Sequence, residues 1–254
     1  MGTPQTELIF KAKAIILFLF VLASLPALST GDDDKEALFN KGYEEEKNGN
    51  YWTAIKIYNK VIKMDPNSSE AYFRRGISKT EINDYKGAIK DLTKALTIKP
   101  YHAESYKERG LALYNTGDFK SSVLDSDKAI SLDTTDIINY YNRGLSQIKL
   151  ENYTAAISDF DKVILLNPTY YKAYLKRGNA KHQMRNLDEA LGDINKGIEM
   201  NPEYPVGYKY RAMIYLDKKE KVMACEDLEK ARKLGYEEQF GNAVNQLIMK
   251  NCFE

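Results

Sequence analysis

The stretch IINYYNRGLSQIKLENYTAAISDFDKVILLNPTY, residues 137–170, decides the fold, because its pattern returns along the chain at a fixed interval of 34 residues. A small residue in the eighth position marks each return. In six successive repeats this residue is Gly42, Gly76, Gly110, Gly144, Gly178 and Ala212. A fixed period of this length is typical of helical-repeat proteins, in which each repeat packs only on its neighbours. The pattern therefore predicts an extended surface rather than one enclosed reactive pocket.

The other columns of the repeat predict two antiparallel helices joined by a turn. Bulky residues recur at the fourth and twenty-fourth positions, and small residues at the eighth and twentieth would let the two backbones approach closely. Glycine costs roughly 1 kcal/mol in a helix interior, so its return in five repeats indicates a packing reason. Proline ends most repeats, where it would stop the second helix. The fourth position is Leu38, Tyr72, Tyr106, Tyr140, Tyr174 and Tyr208. The twentieth is Ala54, Ala88, Ser122, Ala156, Ala190 and Ala224. The twenty-fourth is Tyr58, Leu92, Ser126, Phe160, Ile194 and Leu228.

These columns resemble the tetratricopeptide repeat, in the variety that reads Tyr-x-x-Arg-Gly in its first helix. The resemblance runs from Lys35 to about Glu238 with every repeat in register. It implies an all-α fold, a right-handed α-solenoid of six helix-turn-helix repeats followed by a C-terminal capping helix. The repeats are expected at 35–68, 69–102, 103–136, 137–170, 171–204 and 205–236, and the capping helix and tail at 237–254. The ending, closed by Cys252, is similar to that of exported bacterial members of the family.

The first 29 residues do not belong to the repeats. Lys11 and Lys13 precede an apolar run that begins at Ala14, and small residues stand before a cut after Ser29, an order typical of a secretory signal peptide at 1–29. The run is about 15 residues long, short of the ~20 that a transmembrane helix needs. An uncleaved signal anchor is the alternative. Both interpretations place the repeats outside the cytoplasm, in a protein that is periplasmic, secreted or anchored in the membrane. Residues 30–34 are then expected to form an acidic linker.

The charge balance argues against a nucleic-acid partner. The chain carries 37 Lys and Arg and 36 Asp and Glu. Removal of residues 1–29 takes away Lys11, Lys13 and Glu7, which leaves equal numbers of the two signs. Binding to nucleic acid requires a net basic face, so we expect a protein or peptide partner instead. Membrane contact is expected only if the N-terminal segment stays uncleaved.

The sequence contains few candidates for catalytic or metal-binding residues. The chain has only two histidines, His102 and His182, and no Cys or His cluster has metal-ligand spacing. No glycine-rich phosphate loop follows a predicted strand. We therefore predict a protein that is not an enzyme and needs neither a cofactor nor a metal.

Cys225 and Cys252 are the only cysteines. An even count in an exported chain suggests one disulfide, which would join the second helix of repeat six to the end of the cap. Such a bridge stabilises by roughly 3 kcal/mol for a loop of that size. Two free thiols are the alternative, with Cys225 as a small core residue.

One charged constellation recurs in repeats two to six and is missing from repeat one. Arginine in the seventh position and aspartate in the twenty-third appear together and vanish together, which predicts a charge-assisted hydrogen bond within each repeat or across neighbouring repeats. A row of arginines for an anionic ligand is the functional alternative, but each arginine has a matched carboxylate. The pairs are Arg75 and Asp91, Arg109 and Asp125, Arg143 and Asp159, Arg177 and Asp193, and Arg211 and Asp227.

In the tetratricopeptide family the first helices line a concave face, where partners usually bind. The resemblance implies that positions two, five, six, nine, twelve and thirteen face inward. Acidic residues dominate the front of this groove, aromatic and apolar residues its middle, and basic residues its rear, and such a gradient can orient an extended ligand. The predicted groove residues are Phe39, Tyr43, Phe73, Arg74, Lys107, Tyr114, Tyr141, Asn142, Lys172, Lys176, Asn179, His182 and Lys209.

Repeat three departs from the pattern, with Ser122, Ser126 and Thr134 where other repeats have alanine, a bulky residue and proline. We expect the seam between the two helices of repeat three to be the most weakly packed among the inner repeats. For the whole chain we predict a non-catalytic scaffold or adaptor of the cell envelope that binds an extended protein segment along its groove. The alternatives are a structural subunit that uses its convex face or its ends, and an accessory to an envelope enzyme system.

Overall fold

The computed structural model describes residues 31–253, which form fourteen α-helices and no β-strand. The predicted signal peptide at 1–29 lies outside the described residues. The chain divides into an N-terminal body that ends at Pro66 and a C-terminal body that begins at Asn67. The helices are α1 (Gly31–Lys47), α2 (Tyr51–Met64), α3 (Ser69–Glu81), α4 (Tyr85–Ile98), α5 (Ala103–Thr116), α6 (Phe119–Leu132), α7 (Ile137–Lys149), α8 (Tyr153–Leu166), α9 (Tyr171–Gln183), α10 (Leu187–Met200), α11 (Pro205–Asp217), α12 (Lys221–Lys233), α13 (Tyr236–Phe240) and α14 (Ala243–Asn251).

Each repeat is one pair of helices. The N-terminal body holds repeat one, in which α1 packs on α2, and the C-terminal body holds repeats two to six in α3 to α12. In the C-terminal body each helix also contacts the next, and successive first helices, α3, α5, α7, α9 and α11, contact one another directly. The predicted fold class, an all-α solenoid of helix-turn-helix repeats, is confirmed. The first helices form one continuous face of the C-terminal body.

The turn inside each repeat always has the same backbone conformation. Its fifteenth residue has a positive φ in all six repeats, although only repeats one and three have glycine there. The sixteenth residue donates its N–H to the carbonyl of the eleventh, at 2.8 to 3.0 Å, which is the helix-ending bond of a Schellman motif. The fifteenth residues are Gly49, Asn83, Gly117, Glu151, Arg185 and Lys219.

The two ends differ from the sequence expectation. Asp33 and Asp34, which were expected in an acidic linker at 30–34, lie in helix α1. At the other end Gly241, with φ of +83°, divides the single expected capping helix into α13 and α14.

A disulfide bond fixes the C-terminal end of the stack. Helix α14 packs on α12, and a disulfide joins Cys225 to Cys252 with their Cα atoms 5.8 Å apart. The predicted bridge is therefore confirmed. Within residues 31–253 we find no helix with the length and apolar character that a membrane crossing demands.

Candidate partner-binding groove

The arginine–aspartate pairs hold the two helices of repeats two to six together. Each of the five guanidinium groups donates two or three hydrogen bonds to the aspartate 16 residues later, over 2.5 to 3.1 Å, and these aspartates are buried. Four arginines also reach a side chain of the preceding repeat. These contacts join Arg109 to Thr93, Arg143 to Asp127, Arg177 to Asp161, and Arg211 to Asn195. The Arg–Asp bonds therefore lie within repeats, and the contacts between repeats go to the twenty-fifth position instead of the twenty-third.

The fourth-position tyrosines support these arginines. Each guanidinium carbon lies 5.3 to 5.7 Å from the centroid of the tyrosine ring three residues earlier. The rings of Tyr72, Tyr106 and Tyr174 are only half-buried, so they stack beneath the arginines rather than filling the seam between helices as expected. The seam is filled mainly by the twenty-fourth position, such as Phe160 with no exposed surface.

On the first-helix face, the fifth residue of a repeat lies against the last residue of the same repeat. In repeat two Phe73 meets His102 edge-on, with ring centroids 4.8 Å apart. In repeat three Lys107 Nζ lies 3.1 Å from Asp136 Oδ2. In repeat four Tyr141 meets Tyr170, also edge-on, at 5.3 Å. The same pair of positions therefore holds a Phe–His pair in repeat two, an ion pair in repeat three and a pair of tyrosines in repeat four.

Five tyrosines from repeats three to six approach one another on this face, and we call them the tyrosine cluster. Burial raises the pKa of Tyr141, and the phenols of the other four members add to the rise. All five rings are half-buried. Among the residues described, no hydrogen-bond partner contacts the hydroxyls of Tyr114, Tyr141, Tyr170 or Tyr204. The cluster consists of Tyr114, Tyr141, Tyr170, Tyr204 and Tyr210.

Lys176 lies beside the cluster. Its Nζ donates a 3.0 Å hydrogen bond to the Tyr210 hydroxyl and lies 5.5 Å from that ring's centroid. Burial works to lower the pKa of Lys176, and its interactions with Tyr210, Tyr204 and Tyr114 raise it overall. Asn142, Asn179 and Lys172 are half-buried on the same helices.

Two predicted groove residues belong to the core instead. Phe73 is 6% exposed and packs against His102, and His182 is 7% exposed with its Nε2 2.8 Å from Asp217 Oδ2 of the next repeat. The expectation that they are free to meet a partner is therefore wrong. Phe73 packs on the last residue of its own repeat, and His182 pairs with a side chain of the next repeat. These contacts remove the aromatic ring from water and give the buried imidazole a hydrogen-bond partner.

Other predicted groove residues already have partners within the protein. Arg74 pairs with Glu70 at 3.0 Å, and Lys107 pairs with Glu104 as well as Asp136. Lys209 lies 5.3 Å from the centroid of the Tyr236 ring.

Phe39 and Tyr43 lie in the N-terminal body. There Phe39 packs on Tyr58 with ring centroids 5.7 Å apart, and Lys47 covers Tyr43 at 5.7 Å.

Sequence reasoning missed two members of the cluster, Tyr170 and Tyr204, whereas Tyr210 occupies a sixth position that was expected to face inward. Tyr170 and Tyr204 are the residues before helices α9 and α11 and make no side-chain capping bond. The equivalent Ser68 and Asp136 do cap their helices. Loss of such a cap costs about 1 kcal/mol. Tyrosine in the cap positions of two successive repeats could have indicated these members, because a tyrosine there lacks the capping bond and adds an aromatic ring to the surface.

The described residues offer little for metal chemistry. Among residues 31–253, no group of three or more His, Cys, Asp or Glu side chains is arranged to hold a metal ion.

The comparisons agree with this architecture. Family models described as tetratricopeptide repeat match residues 39–103, 139–170 and 171–204, which together span just over half of the chain. The chain belongs to the tetratricopeptide repeat family. No curated protein matches it.

Several solved tetratricopeptide-repeat structures share the fold. MamA is 28% identical, with a TM-score of 0.61, over 63% of this chain and 94% of MamA. PilF of Pseudomonas aeruginosa is 17% identical, with a TM-score of 0.70, over 86% of this chain and 98% of PilF. YrrB, described as having an unusual peptide-binding site, is 21% identical, with a TM-score of 0.59, over 76% of this chain and 97% of YrrB. These neighbours fit a protein-interaction scaffold.

Proposed function

We propose that the chain is a non-catalytic scaffold of the cell envelope that binds an extended protein segment along the first-helix face of its C-terminal body. The observation that carries this proposal is the tyrosine cluster. Half-buried aromatic rings with polar tips are the side chains that supply most affinity in protein interfaces. Here they are gathered from four consecutive repeats, so a ligand that touches all of them has to run along the stack.

The neighbouring amides suit a peptide backbone. Asn142 on α7 and Asn179 on α9 are half-buried, and their side-chain amides have no hydrogen-bond partner among the described residues. An asparagine amide both donates and accepts, which matches the N–H and C=O groups of an extended chain. An extended ligand would therefore find contacts for its backbone as well as its side chains.

The proposed location rests on two features. One is the predicted export signal at residues 1–29. The other is the Cys225–Cys252 disulfide, since such bonds persist in oxidising compartments and are rare in the cytosol. Together they support a location beyond the cytoplasmic membrane.

A cross-linking pull-down from the host envelope tests the proposal, with residues 30–254 as bait. A second bait carries Tyr141→Ala, Asn142→Ala and Lys176→Ala, and a matched control carries Tyr101→Ala, a tyrosine that is 86% exposed in the turn before α5. We expect a partner that the first and control baits capture and the triple variant loses. Equal capture by all three baits would move the interface off this face.

One observation favours the alternative of a structural subunit that binds through its end. The C-terminal end exposes Val222, Met249 and Phe253, with 72 to 74% of each residue accessible. Val222 and Phe253 line a cleft beside the disulfide, and Met249 and Phe253 line a second one. If the partner is captured equally by the first two baits but lost with Met249→Ser and Phe253→Ser, this second function replaces the first.

A further inference from the structure

Lys176 is a half-buried cation without a carboxylate. Its one hydrogen-bond partner in the described residues is the neutral Tyr210 hydroxyl, whereas the next lysine on α9, Lys181, pairs with Glu189 and Asp193. A charge withdrawn from water without an opposite charge is unfavourable, and a partner that supplies a carboxylate removes that cost.

Glu108, on α5 two repeats earlier, is an anion without a cationic partner among the described residues. Its carboxylate is half-buried and has neither a hydrogen bond nor an ion pair with any described residue. The adjacent Lys107 is already engaged by Glu104 and Asp136. Burial raises the pKa of Glu108, Lys107 opposes the rise, and Glu104, Glu81 and Asp136 add to it. A cationic group from outside would be stabilised strongly at this position.

The two charges lie in one row. Both occupy the sixth position of a repeat, and α7 lies between their helices with Asn142 in that same position. Sixth-position side chains of adjacent repeats do touch, as the Lys176–Tyr210 bond shows. Packed helices are about 8–10 Å apart, so two steps span roughly 16–20 Å. An extended chain advances about 3.3 Å per residue and covers that span in about five or six residues.

We propose that this row selects a bipolar ligand: an extended peptide segment with a Lys or Arg side chain at Glu108 and an Asp or Glu side chain at Lys176, about five or six residues apart. The inference rests on the proposed function and deepens it. Asn142 holds the backbone between the two ends, and the tyrosine cluster flanks the acidic end. A uniformly charged chain of either sign meets one repulsive end, so charge order sets the direction in which the segment lies.

A displayed library of random twelve-residue peptides, selected on the mature protein, tests the inference. We expect the enriched peptides to carry one basic and one acidic residue at this spacing, predominantly in one order. Glu108→Gln and Lys176→Gln should each lower the affinity of an enriched peptide about tenfold or more, because each removes a hydrogen bond between charged groups. Lys128→Gln, an exposed lysine on α6, is the matched control and should change nothing.

The exchange variant, Glu108→Lys with Lys176→Glu, is the decisive protein, provided that its circular dichroism and melting match the parent. It should enrich peptides of the opposite order. Unchanged order, or enriched peptides without paired opposite charges, overturns the inference and leaves the proposed function intact. Failure to enrich any peptide, together with loss of the pull-down result, counts against the proposed function itself.

Discussion

Repeats three and four have the same backbone path but opposite kinds of seam. In repeat four, Phe160 has no exposed surface and lies so close to Gly144 that an added Cβ would be 2.8 Å from its ring. In repeat three the corresponding Ser126 is small, and the space around Gly110 is wider, with 3.4 Å from an added Cβ to the nearest atom. Repeat three therefore has a small polar side chain where repeat four has a packed ring.

Hydrogen bonds hold the seam of repeat three instead. Ser122 Oγ donates to the carbonyl of Gly110 at 2.8 Å and lies 2.9 Å from Ser146 Oγ of the next repeat. The apolar core is interrupted here, since the buried members of one cluster end at Ala112 and those of the next begin at Tyr140. The comparison shows that repeat geometry survives the replacement of an apolar seam by a polar one.

The largest expected effect separates the two twenty-fourth positions. Phe160→Ala should lower the free energy of unfolding by about 3–5 kcal/mol, because it removes a fully buried ring and leaves a cavity. Ser126→Ala removes little volume and should change it by less than about 1 kcal/mol. Urea unfolding with the disulfide intact measures both. Similar losses at both sites would mean that the two seams are equally important.

A smaller contrast is expected between the two eighth-position glycines. Gly144→Ala should destabilise by about 1–3 kcal/mol, since its Cβ collides with Phe160. Gly110→Ala should be neutral or should stabilise by up to about 1 kcal/mol, because alanine favours the helix and the space is sufficient. Thermal melting of the two variants gives the sign directly, and destabilisation by Gly110→Ala would contradict the looser seam of repeat three.

The smallest effect concerns the unmodified protein. Amide hydrogen exchange should be fastest in repeat three among repeats two to five, by about tenfold, because local opening there exposes less apolar surface. Exchange resolved by peptide mass spectrometry measures this. Uniform protection across α3 to α10 would show that the hydrogen bonds of Ser122 fully replace the missing apolar contacts.

Much of the scaffold could be predicted because it depends on regular spacing. The helix pairs and the arginine–aspartate contacts follow from a 34-residue period and from helix periodicity, and the Cys225–Cys252 bridge follows from an even cysteine count in a chain expected to be exported. The left-handed turn residues Glu151, Arg185 and Lys219 could not be predicted, since none is the glycine that usually marks this conformation. Their backbone is set by the two helices that they join.

The candidate groove was predicted less well than the scaffold. Its members come from different repeats. Whether a side chain is buried or available depends on the residue packed against it, which is His102 of the same repeat for Phe73 and Asp217 of the next repeat for His182. The position of Tyr170 and Tyr204 beside Tyr141 depends on tertiary contacts in the same way, within repeat four for Tyr170 and from repeat five for Tyr204.

The sequence by itself determined the period, the pairing of helices and the charge partners, because each depends on short, repeated intervals along the chain. Only the tertiary structure decided which half-buried charges stay unpaired, as Glu108 and Lys176 do, and which tyrosines meet. The physical reason is that these properties arise from contacts across a stack of helices, where burial and charge are set jointly by several repeats.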